Sequence, residues 1–160
     1  MEKPQRPSIN VTPSGAPVVF LDFDGVTHPE VCKREDLFTC LPLIEDVLRQ
    51  HPSVDVVISS SWRFSHPLEQ LRKRFSQDIV PRVIDCTPIS PRGGRAPAVA
   101  HLRELEIRSW LQANAPTRPW IAIDDVPWLF CAGCPNLFLT NHRTGFTLSN
   151  ALRLHERLSR

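Results

Sequence analysis

Short apolar runs alternate along the chain with longer stretches in which apolar residues recur every three or four positions. The short runs, bounded by proline, serine or acidic residues, predict β-strands at about 17–22, 54–59, 80–85, 119–124 and 136–140. The stretches with a helical period predict α-helices at about 41–51, 67–75, 98–113 and 149–158. Alternating strands and helices predict an α/β fold, in which helices cover both faces of a parallel sheet.

Polar side chains follow three of these apolar runs directly. The first run leads into Asp22 and Asp24, the second into Ser59, and the fourth into Asp124 and Asp125. Unpaired carboxylates are costly to bury at a strand end, so something should bind them. Ligands bind at the carboxyl ends of parallel strands, and magnesium prefers carboxylate and phosphate oxygens. The pattern therefore predicts a magnesium-dependent phosphoryl-transfer site.

Several further segments extend this pattern. They are DGVTHP at 24–29, SSWR at 60–63, RELEIRSWL at 103–111 and TGFT at 144–147. With the acidic motifs, they make the chain resemble the haloacid dehalogenase (HAD) superfamily of phosphohydrolases over about residues 17–156. The closest similarity is to small HAD domains, some of them attached to nucleic-acid repair proteins. The resemblance implies a HAD-like Rossmannoid three-layer sandwich with strand order 5-4-1-2-3 and no large cap domain.

The resemblance also implies roles for the acidic residues. Asp22 would be the nucleophile that forms an aspartyl-phosphate, and Asp24 the general acid and then base. Asp124 and Asp125 would bind Mg²⁺ together with Asp22 and the backbone carbonyl of Asp24. The simpler alternatives are that the first two acids only cap a strand and that the last two only form a turn.

The phosphoryl group needs hydrogen-bond donors as well. Ser59 would supply its hydroxyl and Ser60 its amide, although the hydroxyl of Ser60 or Ser61 could take that part if the strand ends later. The simple alternative for these serines is the N-cap of a helix. Trp62 is expected to pack in the core together with Trp110, Trp120 and Trp128, and base stacking is its alternative role.

A phosphoryl group also needs basic residues beside it. The resemblance places a basic residue near the start of the helix before strand four, where Arg103 fits, and Arg63 and Arg95 compete for the role. Arg63, Arg92 and Arg95 are candidate phosphate contacts, the last two in a Pro/Gly-rich loop after the third strand. His28, just past the nucleophile, is a candidate substrate contact or a simple turn residue.

Size and composition fit one domain of this kind. The 160 residues are 41% hydrophobic with a net charge of +2, which excludes a largely disordered chain and does not identify a nucleic-acid binder. We expect a flexible segment at 1–16 and a single domain at 17–160. The sequence contains neither an apolar signal-peptide core nor a membrane-spanning run, so the cytoplasm is the expected compartment.

The five cysteines predict reduced thiols. Cys131 and Cys134 form one Cys-x-x-Cys pair, which could bind zinc only if the fold added two ligands, for example from Cys32, Cys40 or His28.

The sequence thus predicts a Mg²⁺-dependent phosphatase that acts on a phosphomonoester, with nucleotides and nucleic-acid ends among the candidate substrates. A HAD-fold binding or regulatory module with little turnover is the alternative. The order of the motifs argues against a response-regulator receiver, whose acidic pair precedes its phospho-accepting aspartate.

Overall fold

A parallel sheet with β1 at its centre organises the molecule. The structure, a computed structural model, describes residues 15–90 and 100–160. Its strands are β1 (Val18–Leu21), β2 (Asp55–Ile58), β3 (Val83–Cys86), β4 (Trp120–Asp124) and β5 (Leu137–Leu139). All pair in parallel in the order β3-β2-β1-β4-β5. This is the predicted order 5-4-1-2-3 counted from the opposite edge, so the expected α/β HAD-like topology is confirmed.

Helices connect the strands. They are α1 (Leu41–Gln50), α2 (Leu68–Arg72), α3 (Leu102–Asn114) and α4 (Leu148–Leu158). Short 3-10 turns lie at Arg34–Asp36, Ser61–Phe64, Val80–Arg82 and Pro127–Leu129. The start of α4 is fixed by a capping box, in which Thr147 and Asn150 satisfy each other's backbone amides.

Two apolar clusters place these helices on opposite faces of the sheet. Side chains of successive strand residues point to opposite faces. Val19 and Leu21 of β1 pack in the larger cluster with residues of α1, α2 and α4. Val18 and Phe20 pack in the smaller cluster with Trp110 and other residues of α3. The result is a three-layer sandwich with a buried sheet between the helices.

Two details differ from the sequence-based expectation. The third strand begins at Val83 rather than at residue 80, because Pro81 lies in the preceding 3-10 turn and has no N–H to donate to a ladder. Trp128 was predicted to pack in the core, but it is 73% exposed in the turn after β4. Trp110 and Trp120 are buried as expected.

The predicted flexible segment lies, as far as residue 14, outside the described residues. Within the described parts of the chain, we find no helix whose length and apolar character would let it cross a membrane.

Candidate active site

The register of the sheet brings the predicted catalytic residues to one edge. The last residue of β1 lies opposite Ile58 of β2 and Ile123 of β4. The next residues along the three strands are Asp22, Ser59 and Asp124, which therefore lie side by side at the carboxyl ends of the strands. Backbone hydrogen bonds continue past the strand ends. The Asp22 amide donates to the Ile123 carbonyl, and the Ser59 amide donates to the Leu21 carbonyl.

Three carboxylates converge at this edge. One oxygen from each of Asp22, Asp124 and Asp125 lies within 4.8 Å of the other two. Asp22 and Asp124 are buried, and Asp125 is half-buried. Burial, followed by the charge of Asp22, raises the pKa of Asp124 to about 7 and that of Asp125 to about 6. Such crowding favours the binding of cations beside the carboxylates, and an all-oxygen donor set suits Mg²⁺.

The backbone approaches this cluster closely at Gly25. Its φ angle is +72°, in the left-handed region that favours glycine. A Cβ atom at this position would collide with the carboxyl group of Asp125. The glycine of the Asp-x-Asp-Gly motif is therefore what allows the loop after β1 to lie against the acidic pair after β4.

Arg103 is the basic residue that the fold brings to the carboxylates. Its Nη1 donates to Asp124 Oδ2 at 2.8 Å and lies 3.2 Å from Asp22 Oδ1. Burial disfavours the charged guanidinium, but the two carboxylates outweigh it and raise the pKa of Arg103. Arg103 lies in the first turn of α3, the position at which the sequence placed the basic residue.

Ser59 presents an unused hydroxyl to this edge. The side chain is buried, and in the described part of the chain its Oγ has no hydrogen-bond partner. A buried polar group without a partner costs roughly 1–3 kcal/mol, so this hydroxyl is available to a ligand oxygen or an ordered water. The Ser60 hydroxyl is already used, because it caps the following turn by accepting from the Trp62 amide.

Arg63 is a buried support for the Ser59–Ser60 segment. Its guanidinium donates to the carbonyls of Ser59 and Ser60, to Thr87 and Pro88, and to Glu106 at 2.5 Å. Arginine has five N–H donors, and all five are engaged in this network. As placed here, Arg63 has no donor left for a phosphate, contrary to its expected role as a phosphate contact.

Asp24 is held from two sides. His28 Nε2 lies 2.9 Å from Asp24 Oδ1, and Trp62 Nε1 donates to both carboxylate oxygens at 3.1 and 3.0 Å. The amide of Phe38 donates to His28 Nδ1, which assigns the ring proton to Nε2 and makes His28 a donor to Asp24. The hydrogen bond from His28 lowers the pKa of Asp24; burial opposes that effect, and the bond from Trp62 adds to it.

His28 was a candidate substrate contact, with a simple turn residue as the alternative. It is only 1% exposed, and both of its ring nitrogens are engaged. Sequence reasoning missed its partnership with Asp24, although the four-residue spacing within one loop was a usable signal. It also missed Trp62 as a second partner of Asp24 and Glu106 as the partner of Arg63. No signal in the sequence pointed to these two, because each contact spans about 40 positions.

The side chain of Asp24 is 45% exposed and faces a cleft of about 420 Å³. Its other lining residues are Arg34, Leu37, Ser61, Trp62, Ser65, His66 and Arg74. A larger cavity of about 610 Å³ lies at the opposite end of the sheet, where Pro17, Val54 and Pro119 precede their strands. That cavity is remote from the carboxylates.

Two predicted phosphate contacts, Arg92 and Arg95, lie outside the described residues. All five cysteines are free thiols. The third group near Cys131 and Cys134 is Glu104, whereas zinc binding was considered with Cys32, Cys40 or His28. The carboxylate of Glu104 already accepts from Arg108 and from the Cys131 amide.

Comparison with known families decides what the chain is. The family model described as the HAD domain in Swiss Army Knife RNA repair proteins matches residues 18–151. The chain belongs to this family. Searches of curated proteins and of solved structures found no match.

Membership in the HAD family accounts for the clustered acids. It indicates a phosphohydrolase, which agrees with the general class of enzyme predicted from the sequence. HAD domains generally use Mg²⁺, and the cluster of Asp22, Asp124 and Asp125 has the donor chemistry for it.

Proposed function

We propose that this HAD domain is a magnesium-dependent phosphatase that hydrolyses phosphomonoesters through an aspartyl-phosphate on Asp22. The observation that carries the proposal is the buried Ser59 hydroxyl without a partner, at the same level of the sheet as Asp22. A phosphoryl oxygen would supply the missing partner. Asp22, Asp124 and Asp125 would hold the Mg²⁺, which when bound neutralises charge on the phosphoryl group.

In the first step, a carboxylate oxygen of Asp22 attacks phosphorus while the bond from phosphorus to the ester oxygen breaks. The proton on Asp24 passes to the departing oxygen, so an alcohol leaves. The lowered pKa of Asp24 keeps it ionised in the free protein. A phosphate dianion bound beside it raises that pKa and favours uptake of the proton that Asp24 then delivers.

In the second step, Asp24 is a carboxylate and accepts a proton from water. The water oxygen attacks phosphorus, the bond from phosphorus to Asp22 breaks, and inorganic phosphate is released. Arg103 contacts Asp22 and would keep its carboxylate oriented during both steps. Ser59 would hold the phosphoryl group by a hydrogen bond while the group passes first to Asp22 and then to water.

We further propose that the phosphate lies on a nucleotide or a nucleic-acid end. The supporting observation is the family description, which names RNA repair proteins. An open site agrees with a large substrate, because no additional domain is inserted between β1 and β2 to enclose a small one.

The test is hydrolysis of an aryl phosphate with and without Mg²⁺ by the wild type and the Asp22→Asn variant. We expect metal-dependent turnover in the wild type and a loss of at least about a thousandfold in the variant, because an amide is a poor nucleophile. Asp46→Asn, an exposed acid on α1, is the matched control and should retain wild-type turnover.

Beryllium fluoride should bind at Asp22 of the wild type and not of the variant. Substantial turnover by Asp22→Asn, with deamidation excluded by mass spectrometry, would contradict the assignment of the nucleophile. Ligand binding without any turnover in the wild type would favour a binding or regulatory module instead.

A further inference from the structure

The cleft beside Asp24 lies next to the proposed proton donor. Its walls come from the segment after β1, with Arg34 and Leu37, and from the segment between β2 and β3, with Ser61, Trp62 and Arg74. In the proposed function, on which this inference rests, Asp24 hands its proton to the leaving oxygen. Whatever the leaving oxygen is attached to must therefore extend into this cleft.

The charges in the cleft favour an anion. Arg34 and Arg74 line it, and Asp24 is the one carboxylate among the described residues that line it, so the described walls are net positive. Among the described residues, no carboxylate lies within 4.0 Å of either guanidinium. Glu35 and Asp36 follow Arg34 along the chain but do not line the cleft. Two arginines that face one cleft without acidic partners are suited to a phosphate, which they bind through paired N–H donors.

Aromatic contacts hold one of these arginines in place. The guanidinium of Arg74 lies 5.1 Å from the centre of the Phe38 ring and 5.8 Å from that of Trp62. His66 stacks on Trp62 with ring centres 5.5 Å apart and planes 28° apart. The cleft wall is therefore an ordered set of rings, and Trp62 links it directly to the proton donor through its bonds to Asp24.

We infer that Arg34 and Arg74 form a subsite for a second phosphate, carried by the leaving group of the substrate. The preferred substrate is then a phosphomonoester whose alcohol already bears another phosphate. An uncharged alcohol would leave both arginines unused. The volume of about 420 Å³ falls within the range of small-molecule sites, which is larger than a lone phosphate requires.

A nucleoside bisphosphate, a phosphorylated oligonucleotide end and a sugar bisphosphate share this chemistry. The substrates to compare are therefore adenosine 3′,5′-bisphosphate, the two adenosine monophosphates, a dinucleotide with a terminal phosphate, and a hexose bisphosphate beside its monophosphate. We expect kcat/KM to be higher for each doubly phosphorylated compound than for its singly phosphorylated partner. The member with the largest preference identifies the source of the second phosphate.

The decisive variants are Arg34→Gln/Arg74→Gln and, as a matched control, Lys33→Gln/Lys73→Gln. Both doubles remove two positive charges, from neighbouring exposed positions, but only the first removes charges that line the cleft. We expect the ratio of kcat/KM values, doubly over singly phosphorylated, to fall by about tenfold or more in the arginine variant. The lysine variant should keep the wild-type ratio.

A binding measurement separates this inference from the proposed function. Calorimetric titration of adenosine 3′,5′-bisphosphate into the Asp22→Asn variant, with and without the two arginine substitutions, requires no turnover. Binding that depends on both arginines, in a protein whose wild type hydrolyses nothing, would support the subsite and reject the phosphatase. Metal-dependent turnover with no preference for a second phosphate, or a preference that both doubles lose equally, would overturn the subsite and leave the phosphatase.

Discussion

His28 is buried beside Asp24, the proposed acid and base. Its Nδ1 is held by the amide of Phe38, so the proton on Nε2 points at Asp24. His28 is therefore a positioning residue for the proposed acid and base. Trp62 donates to the same carboxylate from the other side. The two contacts restrict the rotation of the Asp24 side chain and keep it oriented for the proposed proton transfer.

The His28→Gln variant should lose activity in a way that depends on the leaving group. An aryl phosphate has a good leaving group and needs little proton donation, whereas an alkyl phosphate needs much. We expect kcat/KM to fall by roughly tenfold to a hundredfold for alkyl phosphates, which is part of the roughly 10²- to 10⁴-fold that acid–base catalysis usually contributes, and by much less for aryl phosphates. The measurement is kcat/KM across esters with alcohols of increasing pKa.

His142→Gln, at an exposed position, is the control for that series and should leave the slope of kcat/KM against alcohol pKa as it is. A purely structural role of His28 would lower kcat/KM by the same factor for every ester. A parallel shift of the whole series would therefore reject the positioning role.

At the scale of elements, one buried ion pair holds the segment between β2 and α2 against α3. Arg63 and Glu106 of α3 are each only 3% exposed, and Arg63 also ties the carbonyls of Ser59 and Ser60. This contact joins the segment proposed to bind phosphate to the helix that carries Arg103. The position of the Ser59 hydroxyl relative to Arg103 is therefore set by Arg63.

Arg63→Met should lower the free energy of unfolding by about 3–5 kcal/mol, because it leaves the Glu106 carboxylate buried without its partner. The double variant Arg63→Met/Glu106→Met should recover part of that loss, since no charge is then stranded. Urea denaturation measures both, with the exposed Arg143→Met as control. Unchanged stability together with a reduced kcat/KM would instead favour direct contact of Arg63 with phosphate.

The same elements show how far a sequence can predict such a site. The residues at strand ends, such as Asp22 and Ser59, were predictable because period and register place them on one edge. The role of Arg63 was not predictable, because its partner Glu106 lies 43 positions further along the sequence and no local pattern marks the pair. Burial of His28 was not predictable either, because a loop has no periodicity that separates inward from outward positions.

At the scale of the whole molecule, the acidic cluster links pH, metal and stability. Carboxyl groups of an unfolded chain titrate near 3.9, whereas in the metal-free fold the pKa values of Asp125 and Asp124 are about 6 and about 7. Between those limits these two carboxyl groups bind more protons in the folded state than in the unfolded state. Their contribution to the free energy of unfolding of the metal-free protein should therefore fall as pH rises from about 4 to 7.

Magnesium bound at the proposed site would displace these protons, so its affinity should rise with pH across the same window. We expect millimolar Mg²⁺ to raise Tm clearly at about pH 8 and much less at about pH 5, where Asp124 and Asp125 hold their protons. Asp124→Asn should remove most of the gain at the higher pH. Thermal melts at both pH values test this, and a gain of equal size at both would contradict the link between proton loss and metal binding.

The central place of β1 also has a consequence for how the protein is made. β1 needs β2 on one side and β4 on the other, and β4 is encoded near the far end of the chain. At roughly 5–20 residues per second, a ribosome needs on the order of ten seconds to reach it after β1 emerges. During that time the backbone N–H and C=O groups along one edge of β1 have no partner strand, so this edge can pair with other chains. The proposed metal site also needs Asp124, so a chain truncated before β4 should have no phosphatase activity.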